Sequence, residues 1–576
     1  MDTKAHKSAL FTGRGRLPFP PEVFLLLLPH LSQSQIYPLL LTCKEALRLC
    51  LPAFWKSVVL KDSTLKMAIE SGHAGSFEHT KSLVYRVGVG FPMPNVDRVR
   101  MRNLRRVIIF YEPLSQMTTK DFSATIEDSK FLDLPLVAFG SNLFIDDVVA
   151  LFKKREFPLL ELESLYAGNI CHDFDFLDLA PNCTEIKLLA PRWGTLGLDS
   201  MFEKPIDLRR FTLRGISNNY LLLLSSFERH ENLSYLDING ALTLLQEPDE
   251  PTHDLQSFTT MRFSCLDESA LGAKNFRAYN VKHLRLDPFR PFRHATLLRC
   301  FSKDLVSLDL SYHERQLIDL TPILTYFTNI EALNLRGCNL PASIPGLPFR
   351  SISSLPIKII YLRNAKNVTN SFLRFISKMC PNLEVLELCG EDLQGSFDDS
   401  GLNLVMRKCT KLTALSLTFG TPRYLPSFTS DVQVKNTLEG VKTLQKLRGL
   451  ELNFVDQSEK VAKYVVKCVQ FLHTLEYLKL LDRECDEPLF TQYDLESIVD
   501  GTGRFLRTLD ISDLKIDSSQ VSAALARVSG VYVLGKIPDI DRHLFGSEVG
   551  YFERFGWRRV AHILVPLNHW LDFCFY

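Results

Sequence analysis

The phrase Leu-x-x-Leu-x-Leu returns along this chain roughly every two dozen residues, from before residue 110 to past residue 510. It stands as Leu305-Val-Ser-Leu308-Asp-Leu310, Ile330-Glu-Ala-Leu333-Asn-Leu335, Leu383-Glu-Val-Leu386-Glu-Leu388 and Leu412-Thr-Ala-Leu415-Ser-Leu417. The same grammar gives Leu447-Arg-Gly-Leu450-Glu-Leu452, Leu475-Glu-Tyr-Leu478-Lys-Leu480 and Leu506-Arg-Thr-Leu509-Asp-Ile511. Weaker copies start at Leu104, Leu134, Leu162, Cys183, Leu208, Leu233, Val281 and Ile357, with Leu255 as a degenerate one. From Cys183 to Leu412 the copies begin roughly 21–29 residues apart, and beyond Leu412 the period stretches to about 28–35. One such unit cannot bury its own hydrophobic side, so neighbours must stack and share a continuous core. A chain of 576 residues is too long for one compact core, and growth in one dimension removes that limit.

Three apolar residues at fixed offsets are the mark of leucine-rich repeats. The expected fold class is α/β: a leucine-rich-repeat solenoid over residues 61–535, with a curved parallel β ladder on its inner face and helices outside. Asp146–Lys154, Ser371–Met379, Leu402–Lys408 and Val461–Leu472 carry apolar residues at three- and four-residue spacing and are expected to be the returning helices. Val461, Val465, Val466, Val469 and Leu472 form one stripe, with Lys460, Lys463 and Lys467 between them, which is packing against a core. The period is interrupted at residues 240–280, at Pro341–Pro356 and at Thr421–Gly440, where inserted loops are expected. After a last strand near Val531–Leu534, residues 536–576 turn aromatic, with Phe545, Tyr551, Phe552, Trp557 and Trp570. An end repeat exposes its core, so this segment is expected to be a cap or a tail folded back on the inner face.

Composition narrows the function classes. A formal net charge of +1 and an isoelectric point near 7.6 give no global reason to expect nucleic acid or a membrane surface as partner. The cysteines contain no Cys-x-x-Cys pair, and Cys338, Cys380 and Cys409 sit at fixed places around the phrases, as small buried hydrophobes would. That usage suits a reducing compartment, and the polar, basic residues 1–16 read as a flexible tail, so a cytoplasmic or nuclear location is expected. No Walker-type phosphate loop, His-Glu-x-x-His helix or Gly-x-Ser-x-Gly elbow occurs, and His172-Asp173-Phe-Asp175 reads as the exposed start of a helix. No cofactor, metal or catalytic residue is expected, and the array reads as a binding surface.

Residues 17–60 have a composition of their own, dense in Leu and Pro and without the repeat phrase. They open Leu17-Pro18-Phe-Pro20-Pro21-Glu22-Val23, continue through Leu27, Leu28, Leu31, Ile36, Leu40, Cys43 and Leu47, and close on Phe54-Trp55. Pro21 and Glu22 suit a first helical turn, where proline loses no hydrogen bond and a carboxylate meets the positive end of the dipole. This order of residues resembles the F-box, and an F-box followed by leucine-rich repeats resembles the substrate receptors of cullin–RING (SCF) ubiquitin ligases. The resemblance implies a small all-α unit that docks on the Skp-family adaptor, and through it on the cullin, while the repeats hold a protein substrate. The residues matching the adaptor-facing pattern are Leu17, Pro18, Pro21, Glu22, Val23, Leu28, Leu31, Ile36, Leu40 and Trp55. Pro29 and Pro38 depart from that pattern: the first helix is expected to stop near Leu28 and the second to start at Pro38. The alternative for the same chain is a leucine-rich scaffold or inhibitor whose N-terminal block only caps the solenoid.

Target selection is expected on the concave face. In each phrase the residue between the last two apolar positions, and the residue after them, point away from the leucine core because strand side chains alternate. The candidate target-binding residues are Arg285, Asp309, Asn334, Arg336, Tyr361, Arg363 and Glu387. Arg336 and Arg363 hold the same slot in consecutive repeats, beside Tyr361, and could grip a carboxylate or phosphate together. The competing expectation is that Asp309 and Glu387 on neighbouring strands neutralise them.

Overall fold

The structure is a computed structural model. It describes residues 49–50, 56–61, 77–87, 101–111, 128, 130, 133–141, 164–168, 177–178, 180–189, 196–197, 202–223, 230–245, 253–266, 276–287, 300–311, 317–341, 354–390, 393, 395–420, 430–455, 457–485, 487–502, 505–506, 508–516 and 532–534. The chain divides into two units, Met1–Leu245 and Gln246–Tyr576.

In the first unit the strands are β1 (Ser57–Lys61), β2 (Ser82–Val87), β3 (Arg106–Tyr111), β4 (Ala138–Ser141), β5 (Ser164–Gly168), β6 (Glu185–Leu189), β7 (Leu196–Gly197), β8 (Arg210–Leu223) and β9 (Tyr235–Leu245). Each main strand pairs in parallel with the next, in the order β1-β2-β3-β4-β5-β6-β8-β9. Parallel neighbours in sequence order are what a repeat with one strand per period must give. Strand β1 begins inside the segment 17–60 that the sequence assigned to the helical block, so the ladder already includes Ser57–Lys61.

In the second unit the strands are β10 (His253–Asp254), β11 (Thr260–Leu266), β12 (Phe276–Arg277), β13 (His283–Asp287), β14 (Ser307–Asp309), β15 (Ala332–Asn334), β16 (Ile359–Tyr361), β17 (Val368–Thr369) and β18 (Val385–Leu388). They continue as β19 (Gly395–Ser396), β20 (Ala414–Phe419), β21 (Gly449–Val455), β22 (Tyr477–Glu484), β23 (Thr508–Asp513) and β24 (Tyr532–Leu534). The main ladder runs β11-β13-β14-β15-β16-β18-β20-β21-β22-β23-β24, all parallel. Register keeps like positions together: Leu284, Leu308, Leu333, Ile360, Leu386, Leu415, Leu450, Leu478 and Leu509 form one buried row.

Two phrases sit elsewhere than the sequence reading put them. Register aligns Leu104 with Leu136, not Leu134, and Val281 with Phe258, not Leu255. The copies are therefore Leu136-Val-Ala-Phe139 and Phe258-Thr-Thr-Met261, and Leu136, Phe139, Phe258 and Met261 are all buried. A leucine two or three residues upstream imitated the first position in both cases, and Phe258 restores an even period between Leu233 and Val281.

The returning helices described are α1 (Leu320–Tyr326), α2 (Asn370–Met379), α3 (Asp399–Lys408), α4 (Asp431–Val441), α5 (Glu459–Val469) and α6 (Gln492–Thr502). Helices α2 to α6 pack each against the next. Side chains of Asp319, Thr369, Asp398 and Ser430 cap α1 to α4 by accepting hydrogen bonds from first-turn amides. The expected stripe of α5 holds, with Val461, Val465, Val469 and Leu472 buried, Val466 half-buried, and Lys460, Lys463 and Lys467 exposed. Where an inserted loop was expected at Thr421–Gly440, α4 occupies Asp431–Val441 with Val434, Leu438 and Val441 inward, and residues 421–429 lie outside the described residues. The helix expected at Asp146–Lys154 and the Pro-rich stretch 342–353 lie outside the described residues, as does the aromatic segment 536–576. Among the described residues no helix is long and apolar enough to cross a membrane.

Four of the turns into strands are tied to the turn before them by an asparagine. The asparagine preceding the first apolar residue reaches back one repeat: Asn103 Nδ2 donates to the Glu78 carbonyl at 2.7 Å, and Asn280 Nδ2 to the Gln256 carbonyl at 2.7 Å. Asn232 and Asn329 donate instead to the carboxylates of Asp207 and Asp304. Leaving β15, β16 and β18, the backbone turns through left-handed residues, with φ of 64° at Gly337, 57° at Asn364 and 115° at Gly390. At Gly390 an added Cβ would stand 1.9 Å from Asn364 Oδ1, so neighbouring turns pack too closely for a side chain.

Two substitutions test this packing. Leu386→Ala removes a side chain from the shared row and is expected to lower stability by about 2–5 kcal/mol. Gly390→Ala is expected to destabilise by strain and close contact, and both are read from urea denaturation midpoints with unchanged m-values. A midpoint for Leu386→Ala equal to that of the unaltered chain would mean the register is wrong.

Candidate functional site

The strand face opposite the leucines carries a polar row. Register places Arg285, Asp309, Asn334, Tyr361, Glu387, Ser416, Glu451, Lys479 and Asp510 side by side in the second unit. Neighbouring strands stand about 4.8 Å apart, so each side chain here rubs against its counterpart in the next repeat. Consequently this face is far less open than alternation alone implies: Asp309, Asn334, Tyr361, Glu387, Ser416, Glu451 and Asp510 are all buried.

Arg336 and Arg363 follow this row by two residues and meet over it. Arg336 binds Glu387 bidentately, Nε to Oε2 at 2.6 Å and Nη2 to Oε1 at 3.1 Å. Its Cζ also lies 4.6 Å from the centroid of the Tyr361 ring, a cation–π contact in the same place. Arg363 Nε donates to Glu387 Oε1 at 3.0 Å, and its Nη2 stands 3.6 Å from Glu451 Oε1. The Glu387 side chain is 0% exposed, that of Arg336 13% and that of Arg363 42%. Glu387 is thus a shared counter-ion that satisfies its lone pairs from two guanidiniums.

The expected pair of open guanidiniums does not occur, because Glu387 holds both. The other expected neutraliser, Asp309, takes no part among the contacts of Arg336 and Arg363. Its Oδ1 accepts from the Ser311 backbone amide at 2.9 Å, and its Oδ2 stands 3.7 Å from Arg285 Nε. Asn334 does the same, accepting from the Arg336 amide at 3.1 Å. Both are short polar side chains closing the turn out of a strand with a local bond, and neither side chain pairs with the guanidinium of Arg336 or Arg363. Glu451 was not among the candidate target-binding residues drawn from the sequence. Its part in the cluster comes from Arg363 reaching past the intervening β18 and β20.

Electrostatics differ among these groups. Burial raises the Glu451 carboxyl above its ordinary value of 4.5, with Arg363 and Lys479 opposing the rise and Glu387 and Asp510 adding to it. Burial likewise pushes the Cys389, Cys409 and Cys468 thiols up to about 12. All nine cysteines among the described residues are buried. Several bond a neighbouring repeat, as Cys338 Sγ does to the Leu310 carbonyl at 2.8 Å. These thiols are packing groups, as the sequence pattern implied. His283 is pushed down to about 3, first by burial and then by Arg262 and Lys282, so its imidazole is neutral at physiological pH. Among the described residues no group of His, Cys, Asp and Glu could hold a metal ion. The candidate adaptor-facing residues Leu17, Pro18, Pro21, Glu22, Val23, Leu28, Leu31, Ile36, Leu40 and Trp55 lie outside the described residues.

No family model matches the chain. Among solved structures it is similar to Toll-like receptor TLR13 from the TLR13–ssRNA13 complex, at 14% identity and a TM-score of 0.39, over 80% of this chain and 67% of that one. It is also similar to the leucine-rich-repeat protein LIC12759 of Leptospira interrogans, at 12% identity and a TM-score of 0.32, over 83% of this chain and 100% of that one. A third is a chain of the Drosophila Toll–Spatzle complex, at 13% identity and a TM-score of 0.29, over 79% of this chain and 53% of that one. The fold class rests on the chain's own ladder: one parallel strand per Leu-x-x-Leu-x-Leu phrase, with returning helices, is the leucine-rich-repeat α/β solenoid.

Removing the shared counter-ion leaves two guanidiniums facing each other, so Glu387→Ala is expected to lower stability by about 3–5 kcal/mol in urea denaturation. Glu451→Gln is expected to act in the opposite sense, with a clear pH dependence. The raised carboxyl keeps its proton in the folded state over a window above 4.5 where the unfolded chain has released it, so stability falls as pH rises through that window. The variant should therefore melt higher than the unaltered chain at pH above the window, with the difference shrinking as pH falls through it. A difference that grows on acidification would contradict the assignment.

Proposed function

We propose that this chain is a non-enzymatic protein recruiter: the substrate-recognition subunit of an SCF-type cullin–RING ubiquitin ligase. Its repeat ladder binds a target protein, and residues 17–60 dock on a Skp-family adaptor. The observation that carries the binding role is the stacked ladder of the second unit. A row of polar positions, one per repeat, is held in rigid register there and is edged by the half-exposed Arg363. The buried row holds the side chains at its edge, Arg285, Arg336 and Arg363, at fixed spacing for an extended partner, which suits a protein surface better than a small molecule. Arg285, Arg336 and Arg363 are the members of the candidate target-binding set with exposed side-chain surface, while Asp309, Asn334, Tyr361 and Glu387 support them from beneath.

The ligase role rests on the sequence of the N-terminal block. Leu17, Pro18, Pro21, Glu22, Val23, Leu28, Leu31, Ile36, Leu40 and Trp55 follow the F-box order, and a repeat array follows directly. A receptor of this kind needs no catalytic residue, because the thioester chemistry belongs to other subunits. It would act in the cytoplasm or nucleus, where the ligase machinery works.

Co-precipitation of a purified Skp-family adaptor with the full chain tests this reading. Binding should be seen, and Leu28→Asp or Leu40→Asp should abolish it without altering the far-UV circular dichroism of the array. Retained binding by both variants, or no binding by the unaltered chain, would remove the ligase assignment and leave a leucine-rich scaffold.

A further inference from the structure

The four charges over β16, β18 and β21 are unequally matched. Arg336 is saturated by the bidentate bond to Glu387 and by the Tyr361 ring. Arg363 gives Glu387 only its Nε, while its Nη2 stands 3.6 Å from Glu451, beyond a hydrogen bond. Its side chain is 42% exposed, and neither Nη1 nor Nη2 forms a hydrogen bond among the described residues. Glu451 is the reverse case: its side chain is 7% exposed, and it accepts no hydrogen bond among the described residues. A buried carboxylate without a donor favours its neutral form.

Charge accounting follows from this. With both glutamates ionised the cluster is neutral. With Glu451 protonated, two guanidiniums face one carboxylate and the surplus positive charge sits on Arg363, the member that reaches solvent. The end-on edge of a guanidinium accepts a carboxylate in two parallel N–H···O bonds. Glu387 fixes the guanidinium from behind, so little side-chain freedom remains to be lost when that edge is used.

We propose that the outer edge of Arg363 anchors an aspartate or glutamate carboxylate from an acidic segment of the protein this ladder recruits, with Glu387 as its positioning residue and Glu451 as the group displaced. The proposal rests on the ladder being a protein-binding face but not on the ligase role. An arriving carboxylate repels an ionised Glu451, so binding takes up a proton there. The other charges facing Glu451 are Glu387 and Asp510, which favour that proton, and Lys479, which opposes it. The neighbouring Cys389 thiol, pushed up to about 12, stays neutral throughout.

The test uses the full chain and a fluorescent, amidated peptide of alternating glutamate and glycine, with a lysine–glycine peptide as control. Anisotropy is read at low ionic strength at about pH 6 and about pH 8, where the peptide carboxylates remain ionised. The glutamate peptide should bind more tightly at the lower pH, and the lysine peptide should not bind. Arg363→Gln should weaken binding about tenfold or more at both values, the loss of one charge-assisted contact. Glu451→Gln should bind at least as tightly as the unaltered chain and lose the pH dependence, while Lys467→Gln, on the exposed face of α5, should behave as the unaltered chain. The proposal falls if Arg363→Gln, folded by circular dichroism, binds unchanged, if Glu451→Gln keeps the pH dependence, or if the unaltered chain binds neither peptide. Peptide binding without adaptor co-precipitation would sink the ligase role and keep this site.

Discussion

Every feature of this molecule depends on parallel strands stacked in register, one per repeat. A Leu-x-x-Leu-x-Leu phrase turns three side chains to one side, and a single strand has nothing of its own to cover them. Neighbouring copies do so, and the backbone is paired by the same neighbours. The residue after the first apolar position repeatedly donates its amide to the matching carbonyl of the repeat before, as in Lys358 to Glu331, Glu384 to Lys358 and Thr413 to Glu384. A repeat is therefore satisfied only inside the array, in apolar burial and in hydrogen bonding together. Loss of one leucine is felt by the repeats on both sides.

Register has a second consequence, and it governs the polar face. When like positions are stacked, any charge in the repeat phrase meets the charge of the next repeat at strand spacing. A ladder with the same charge in every copy would repel itself. The second unit avoids this by varying the slot, with Glu387, Ser416, Glu451, Lys479 and Asp510 in succession. The same logic appears one position after the first leucine. There Lys358 pairs with Glu331 at 2.7 Å, and Arg448 holds Glu476 in two bonds of 2.9 Å. Asp482 shows a further use of a buried carboxylate: it accepts from the Leu489 and Lys515 amides and so ties two loops to one strand.

The repeat, the helices α2, α3 and α5 and the buried cysteines were legible in the sequence because each rests on a local pattern. The leucine offsets need only one strand, and the stripe of α5 needs only one helix. Errors arose where a local pattern had two solutions. Leu134 and Leu255 are apolar and close to the right place, and only pairing with the neighbouring strand shows that Leu136 and Phe258 are the members of the row. The turn asparagines Asn103, Asn232, Asn280 and Asn329 were equally visible, one residue before each phrase, and carried a signal that the leucines obscured. At the candidate site, alternation says which way a side chain leaves the strand but not how far it reaches. Arg336 spans two strands to Glu387, whereas Asp309 is held by the Ser311 amide two residues away. A carboxylate's partner depends on that competition between a local turn bond and a distant cation, which one-dimensional spacing does not encode.

This competition also explains why the arginines are not equivalent, although they share a slot. Arg336 lies over an aromatic ring and within reach of both oxygens of Glu387, so its charge is spent inside the protein. Arg363 has Cys389 beyond it in the register of its own slot and a single Glu387 oxygen to bond. Its remaining donors must face either Glu451 or the outside. A neutral thiol cannot accept as a carboxylate would, so the local chemistry leaves Arg363 underused, while Glu451 accepts no hydrogen bond among the described residues. The two deficits lie side by side because the ladder forces their repeats together, and each makes the other easier to disturb. A rigid array thereby holds one adjustable charge at its surface, set by the residues stacked on either side of it.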